Sequence, residues 1–376
     1  MRFHLLACPN AQTTAEYELC GFNALTIRFA RMLYKQGHTV YLYASEENEA
    51  PCTELVPVLS KADIQTLLNG VPYQAVWFHP TPLLWETQCG RAISAIAQRK
   101  QRGDFILSIG GSAHKPVFDK FAEDCFGVEY SIGYQGTFAN YRVFESHAHR
   151  SFIQGLYKNN RGNYFDEVIP VPFEAETFPY KRYRSSPEYL AYVGRITESK
   201  GVALACQVAQ AAGLPLKVVG HGSEDDIKKL IGLGAEYLGA LPTKARNEVM
   251  AGARAVLCPT LYIEPFNCVA VEAQLCGTPV IASPWGGFTE TIEHGHTGFR
   301  CSMFAEFVGA CKEVSALDRS EIRARAVYRY SVEAIYPQYL RYFRRVAQLH
   351  GDGFYAGFPR EKPSPTIPPP DLPKTS

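Results

Sequence analysis

The sequence contains no C-x-x-C pair, no D-x-D triplet and no G-x-x-x-x-G-K-[ST] loop. The first absence matters because the 11 cysteines are scattered singly. That distribution argues against a zinc cluster or disulfide framework and for reduced, mostly buried thiols. The second removes the usual reason to expect a metal-clamped nucleotide sugar, so neither a metal nor a cofactor is expected. The third excludes a P-loop. Gly220-His221-Gly222 is a bare G-x-G without the rest of the dinucleotide fingerprint, so no NAD site is inferred. No apolar run approaches the ~18 residues of a membrane-spanning helix. The opening MRFHLLAC lacks an adequate apolar core for a leader and is interrupted by His4, so it reads as a strand and a cytoplasmic location is expected. One sign of charge does not dominate: Lys+Arg 38 against Asp+Glu 37 leaves +1, and no global field favours nucleic acid or membrane. No short-period repeat is present.

What the chain does have is alternation. Its 376 residues, 46% apolar and 20% charged, suit two soluble domains of about 150–200 residues each. Strand candidates at residues 3–7, 39–43, 75–78, 105–109 and 168–171 are interleaved with helical stretches such as 25–36, which stops at Gly37. A polar, proline-bracketed segment at 179–187 reads as a linker. The alternation then restarts, with strands at 189–193, 216–219, 255–258 and 279–282 and helices at 202–212, 225–230 and 269–275. Such alternation implies parallel βαβ units. The expected fold class is α/β, with two Rossmann-like doubly wound parallel-sheet domains facing across a cleft. The expected domains are residues 1–175 and 188–331. A helix at 332–350, with Pro337 expected to kink it, packs back on the first domain, and 356–376 is a proline-rich tail.

Two loops carry candidate chemistry. Residues 192–201 read YVGRITESKG: a strand ends at Gly194, Arg195 and Lys200 share the following loop, and a helix opens after it. Cations beside a helix N-terminus attract anions, because the macrodipole and the free N–H groups add to their charge. Arg offers a fork for phosphate oxygens and Lys a point charge. Two solvated surface cations would give the same pattern. Residues 264–272 read EPFNCVAVE, with carboxylates at both ends of a segment suited to burial. Pro265 fits the first turn of a helix, where its missing N–H costs nothing, and Asn267 tolerates a left-handed turn. The amides of Phe266, Asn267, Cys268 and Val269 would then face the cleft beside Arg195 and Lys200. A carboxylate only accepts hydrogen bonds, so it can grip neighbouring sugar hydroxyls. A ribose at one end and a hexose at the other would account for the pair, and so would a helix-capping acid with an unrelated salt bridge.

Together the loops resemble the retaining glycosyltransferases of family 4, which have the two-Rossmann GT-B fold. The resemblance runs from about residue 189 to 299 in order and spacing: YVGRITESKG, VVGHGSEDD, YLGAL, CPTLYIEPFNCVAVEAQLCGTPVIASPWGGFTE and HGHTGF. It implies that Arg195 and Lys200, beside Gly194, hold the donor diphosphate and that Glu272 holds the ribose hydroxyls. Glu264 and the amides of Phe266, Asn267, Cys268 and Val269 would cradle the transferred sugar. The family typically has Gly where this chain has Asn267, which leaves the sugar's identity open. The family's Gly-Gly loop after the first strand is reduced to Gly21 in Glu18-Leu-Cys-Gly-Phe22, and Gly21 is assigned to close approach of the donor. His114, in Gly110-Gly-Ser-Ala-His114, falls where the family often places a cleft histidine beside the sugar. It is expected to share a hydrogen bond with a hydroxyl.

The resemblance therefore implies a metal-independent, retaining hexosyltransferase. Its donor is a nucleoside diphosphate sugar, with UDP as the default base. The acceptor hydroxyl is of open class: saccharide, lipid-linked, small molecule or nucleic acid. Same-face attack, with a donor phosphate oxygen taking the acceptor proton, needs no protein nucleophile. Closure about residues 173–187 is expected. A basic and aromatic patch over residues 142–161, including Arg142, His147, His149, Arg150 and Lys158, could meet an anionic acceptor or be a solvated face. His294 and His296 read as surface residues. Two rivals remain: a nucleotide-sugar epimerase or phosphorylase on the same fold, and a non-catalytic sugar-nucleotide binding module, which the thin loop at Gly21 favours.

Overall fold

A computed structural model of the chain describes residues 1–17, 20–73, 76, 81–159, 163–180 and 189–352. Among these residues the strands are β1 (Arg2–Leu6), β2 (Thr39–Ser45), β3 (Glu54–Leu59), β4 (Phe105–Ser108), β5 (Phe126–Ile132), β6 (Tyr141–Phe144), β7 (Asp166–Val168), β8 (Leu190–Val193), β9 (Leu216–Val219), β10 (Glu236–Tyr237), β11 (Val256–Cys258), β12 (Val280–Ala282) and β13 (Gly298–Arg300). They form two sheets, ordered β3-β2-β1-β4-β5-β6-β7 and β10-β9-β8-β11-β12-β13. All pairings between them are parallel, with Phe3 opposite Phe105 in the first sheet and Leu190 opposite Leu216 in the second. Each sheet carries the doubly wound order in which the chain reverses direction beside its first strand, and ligands lie at that switch point, off the carboxyl ends of the strands.

The strands are short apolar runs because helices cover both faces of each sheet. In β1, Phe3, Leu5 and Leu6 are buried, and the equally buried His4 is satisfied by Tyr43 Oη at 2.8 Å and Asp104 Oδ2 at 3.0 Å. The strands absent from the sequence reading have physical reasons to hide. β3 contains Pro57 and lies at the sheet edge, where a missing N–H costs no ladder bond. β5 (FGVEYSI) looks polar, yet its Glu129 accepts from Phe138 N and Ala139 N, each at 2.8 Å, and from Tyr134 Oη at 3.1 Å. The strand expected at 168–171 lies slightly earlier, as β7, and the one at 75–78 falls outside the described residues apart from Val76. The linker at 181–187 and the tail at 356–376 also lie outside them.

The chain crosses between the sheets twice, side by side. Phe173 N donates to Tyr330 O at 2.9 Å and Val332 N donates to Phe173 O at 3.0 Å. The helix Val332–Asp352 follows, continuous through Pro337, and buries Ile335, Tyr339, Phe343 and Val346 with Phe3 and Phe105 in the first domain's core. Among the described residues no helix is long and apolar enough to cross a membrane. All 11 cysteines are free.

In the second domain the ends of β8 and β9 touch. Gly220 has φ +152°, and a Cβ there would stand 1.8 Å from Gly194 O. Gly220→Ala is therefore expected to cost about 3 kcal/mol or more in urea unfolding, from combined strain and clash. A change under about 0.5 kcal/mol would show that the two strand ends are not packed this tightly.

Candidate active site

Both switch points open onto one cleft of ≈ 1650 Å³, lined by Gly21, Arg28, Gly194, Arg195, Lys200, Glu264 and Glu272 among others. From the first domain come the helix Gly21–Lys35 and the turn after β4; from the second come the loops after β8 and β11 and the helix Cys268–Leu275.

The loop after β8 is fixed before any ligand arrives. Tyr192 Oη donates to Arg195 O at 2.7 Å, and Ile196 N donates to His221 O at 2.8 Å. Gly201 has φ +73°, and a Cβ there would lie 2.0 Å from Pro259 O. Glycine thus lets the Lys200 loop close on the loop after β11. Lys200 Nζ donates to Glu264 Oε2 at 2.6 Å and lies 5.1 Å from the Tyr262 ring centroid. The two side chains are 17% and 8% exposed, so this is an ion pair largely removed from water. Burial opposes the ammonium charge, but the Glu264 carboxylate and Tyr262 outweigh it and raise the Lys200 pKa above its ordinary value. Arg195 is exposed on the cleft wall.

Glu264 is held by more than the lysine. Its Oε2 also accepts from Thr260 Oγ1 and Asn267 Nδ2, each at 3.3 Å, and Oε1 accepts from Tyr262 Oη at 3.2 Å. The Trp285-Gly-Gly287 turn closes behind it, where Gly287 N donates to Glu264 O at 2.7 Å. Pro265 is not in the first helical turn, as the sequence suggested, but in the loop. The helix begins at Cys268 with Asn267 as its N-cap at φ +68°, its side chain accepting from Ala270 N at 2.9 Å. Asn267 accommodates the left-handed turn and adds a cap. The amides of Cys268 and Val269, at the helix start, have no carbonyl a turn earlier to bond, and both residues line the cleft.

Glu272 follows Cys268 by one turn, so its carboxylate lies on the same helix face and reaches the cleft. It is 2% exposed and sits between two arginines. Arg28 Nη2 donates to Oε1 at 2.5 Å, and Arg246 Nη2 lies 3.1 Å from Oε2. The second contact is close but not aligned, and among the described residues Oε2 has no hydrogen bond. Burial pushes the Glu272 pKa up, but Arg246 and Arg28 outweigh it and hold it below the ordinary value. Neither arginine was singled out from the sequence. Arg28 was findable: Gly21, Ala24, Leu25 and Arg28 stand at helical spacing on one face, and all four line the cleft. An added methyl on Gly21 would meet no protein atom within 4 Å, so the space before it is the cleft itself.

His114 requires a correction. It is fully buried and does not line the cleft; Ser108 Oγ lies 2.7 Å from Nδ1 and Gln88 Oε1 2.9 Å from Nε2. Gln88 Nε2 donates to Ala7 O at 2.6 Å, so Oε1 accepts from His114 Nε2–H and Ser108 donates to Nδ1. Both nitrogens are engaged with protein, which leaves none for a sugar hydroxyl. The ring instead meets Trp85, a cleft residue, edge to face at 5.2 Å. The basic patch is likewise turned partly inward: Arg142 bonds both Asp166 oxygens, at 2.7 and 2.8 Å, and the buried His149 donates to Tyr134 O at 3.1 Å. Residues 160–162 of that patch lie outside the described residues. His294 and His296 are exposed.

The paired sheets and the cleft between them define a GT-B fold. AviGT4, a glycosyltransferase involved in avilamycin A biosynthesis, superposes with a TM-score of 0.68 at 17% identity, covering 93% of this chain and 98% of that one. Anabaena HepE, in complex with UDP and glucose, gives 0.64 at 18% identity, covering 92% and 100%. In sequence, residues 187–316 match the family model described as glycosyl transferases group 1. The glycogen synthase of Mycobacterium tuberculosis is 32% identical over 148 residues, 36% of each chain, so this chain spans about a third of that relative's length in the match.

Burial lowers the His114 pKa to about 3, so the folded protein holds it neutral. That stabilisation is complete above the ordinary imidazole range and is lost progressively as pH falls from there to about 3. By pH 5 the loss amounts to about 2 kcal/mol. Wild-type urea stability should fall between pH 7 and 5 by about that much more than that of His114→Gln. The wild-type ring resonances should also keep neutral shifts at pH 5. An imidazole titrating near 6.5 would contradict the buried network.

Proposed function

We propose that the protein is a retaining, metal-independent glycosyltransferase that moves a hexose from a nucleoside diphosphate sugar, UDP-linked by default, to an acceptor hydroxyl. One observation carries the reading. A cation pair, a helix N-terminus and two differently partnered carboxylates meet in one cleft between two switch points. The family match over 187–316 and the neighbour solved with UDP and glucose support it.

The reaction's difficulty is the charge gained by the departing diphosphate as the anomeric carbon becomes cationic. Arg195, Lys200 and the amides of Cys268 and Val269 are the groups available to receive that charge, already oriented before the reaction. Glu272, on the cleft wall between Arg28 and Arg246, is the carboxylate available to the ribose hydroxyls. Glu264, fixed by Lys200, Thr260, Tyr262 and Asn267, positions the hexose through its hydroxyls and does not attack it. The proton of the acceptor passes to a donor phosphate oxygen, and the two domains hold the partners together. Gly21 leaves room for the donor to approach the Gly21–Lys35 helix.

The test is turnover of UDP-, GDP- and ADP-sugars with EDTA present, following nucleoside diphosphate release and the anomer of the freed sugar before it mutarotates. Release from one donor with retention is expected, reduced about a hundredfold in Arg195→Ala and Glu264→Ala. Release only after a divalent ion is added would overturn metal independence. Conversion of the donor into another nucleotide sugar would make the protein an epimerase. Tight nucleotide binding without release from any donor, tested also with a panel of sugar and glycerol acceptors, would make it a binding module.

A further inference from the structure

One carboxyl on the cleft wall has no part in that scheme. Glu145 follows β6 and is 7% exposed, yet it lines the cleft. Its backbone is locked on both sides. Phe144 is fully buried, and Ser146 caps the helix His147–Leu156 while its Oγ donates to Pro265 O at 2.5 Å. The side chain is thereby aimed into the gap between the two domains. A Cβ built on Gly133 would lie 2.5 Å from Glu145 Oε2 and 3.2 Å from Pro265 Cβ, so the carboxyl sits against the Glu264–Asn267 loop from the opposite side. Among the described residues no cation pairs with it and no donor bonds it, in contrast to Glu264 and Glu272.

We propose that Glu145 is a substrate-contacting residue: a neutral carboxylic acid of the first domain that donates a hydrogen bond to a hydroxyl of the sugar held against Glu264. The proposal rests on the nucleotide-sugar reading of the cleft. The two carboxyls then divide the work by environment. Glu264, surrounded by donors, accepts; Glu145, without a cation, keeps its proton and donates. Burial, reinforced by the nearby Glu264, pushes the Glu145 pKa up to about 8. The other groups that sense its charge are the Cys268 thiol and the Tyr339 phenol, both pushed upward by burial and so neutral over this range. A raised carboxyl pKa stabilises the fold fully below the ordinary carboxylate range, and that contribution disappears as pH rises through about 8.

Calorimetry with UDP and UDP-glucose, repeated with the GDP and ADP pairs, tests this on the intact protein. The quantity read is the gain in affinity that the sugar adds to the nucleotide. At pH 7, Glu145→Ala should reduce that gain about fivefold to tenfold while leaving the affinity for the bare nucleotide unchanged. Glu145→Gln, which keeps the shape and a donor, should retain it within about twofold. Between pH 7 and 9.5 the wild type should lose the gain and Glu145→Gln should keep it. In thermal melts Glu145→Gln should gain on the wild type over the same pH interval. An unchanged sugar increment in Glu145→Ala, or the same alkaline loss in Glu145→Gln, overturns the proposal while leaving the nucleotide site intact. Equal loss of bare-nucleotide affinity in Glu145→Ala makes the residue structural. No binding of any nucleotide by the wild type overturns the reading of the cleft and this proposal with it.

Discussion

Lys200 and Glu264 form a hydrogen-bonded ion pair where neither side chain is more than 17% exposed. Removing charges from water is expensive, and losing one partner of such a pair costs about 3–5 kcal/mol. The surrounding structure is what makes the pair tolerable. Thr260, Tyr262 and Asn267 supply further donors, and Gly201 lets the loops after β8 and β11 meet. Asn267 also starts the helix whose first residues, Cys268 and Val269, line the cleft. One carboxylate thus ties together the two loops that flank the second domain's switch point. A site preloaded in this way needs little rearrangement to receive a diphosphate, which is the advantage the proposed reaction draws on.

The second constraint lies between the domains. Glu272 belongs to the second domain, and its partner Arg28 belongs to the first. Ser146 bonds Pro265 O, and Glu290 accepts from His147 N and Ala148 N. These contacts, with the paired crossings at Phe173 and Ser331, bring groups from both sheets to the same cleft wall. Any opening of the cleft must part Arg28 from Glu272, leaving a buried carboxylate with Arg246 alone.

How much of this was legible in the sequence follows from range. The loops at Arg195, Lys200 and Glu264 were readable because each sits in one continuous stretch after a strand of plainly apolar residues. Asn267 was readable because its turn preference is a local property. Glu145 was not, since it acts on residues more than a hundred positions away and nothing in its own neighbourhood marks it; Arg28 had its helix face as a local sign, but its partner Glu272 lies 244 positions on. His114 shows the opposite error. Its position after β4 was right, but a small turn with Ser108 and Gln88 behind it drew the ring inward and satisfied both nitrogens. β5 escaped notice because a buried glutamate makes a core strand look like surface.

The central claim is that the cleft divides a nucleotide between two groups: cations and helix amides for the diphosphate, and the Glu272 carboxylate for the ribose. Calorimetry of the wild type and Glu272→Gln, with pyrophosphate and with the tightest of UDP, GDP and ADP, tests this division most directly. The account predicts that the substitution weakens the nucleoside diphosphate about tenfold or more, while pyrophosphate is held at least as tightly as before. Equal loss for both ligands, or none for either, would contradict it.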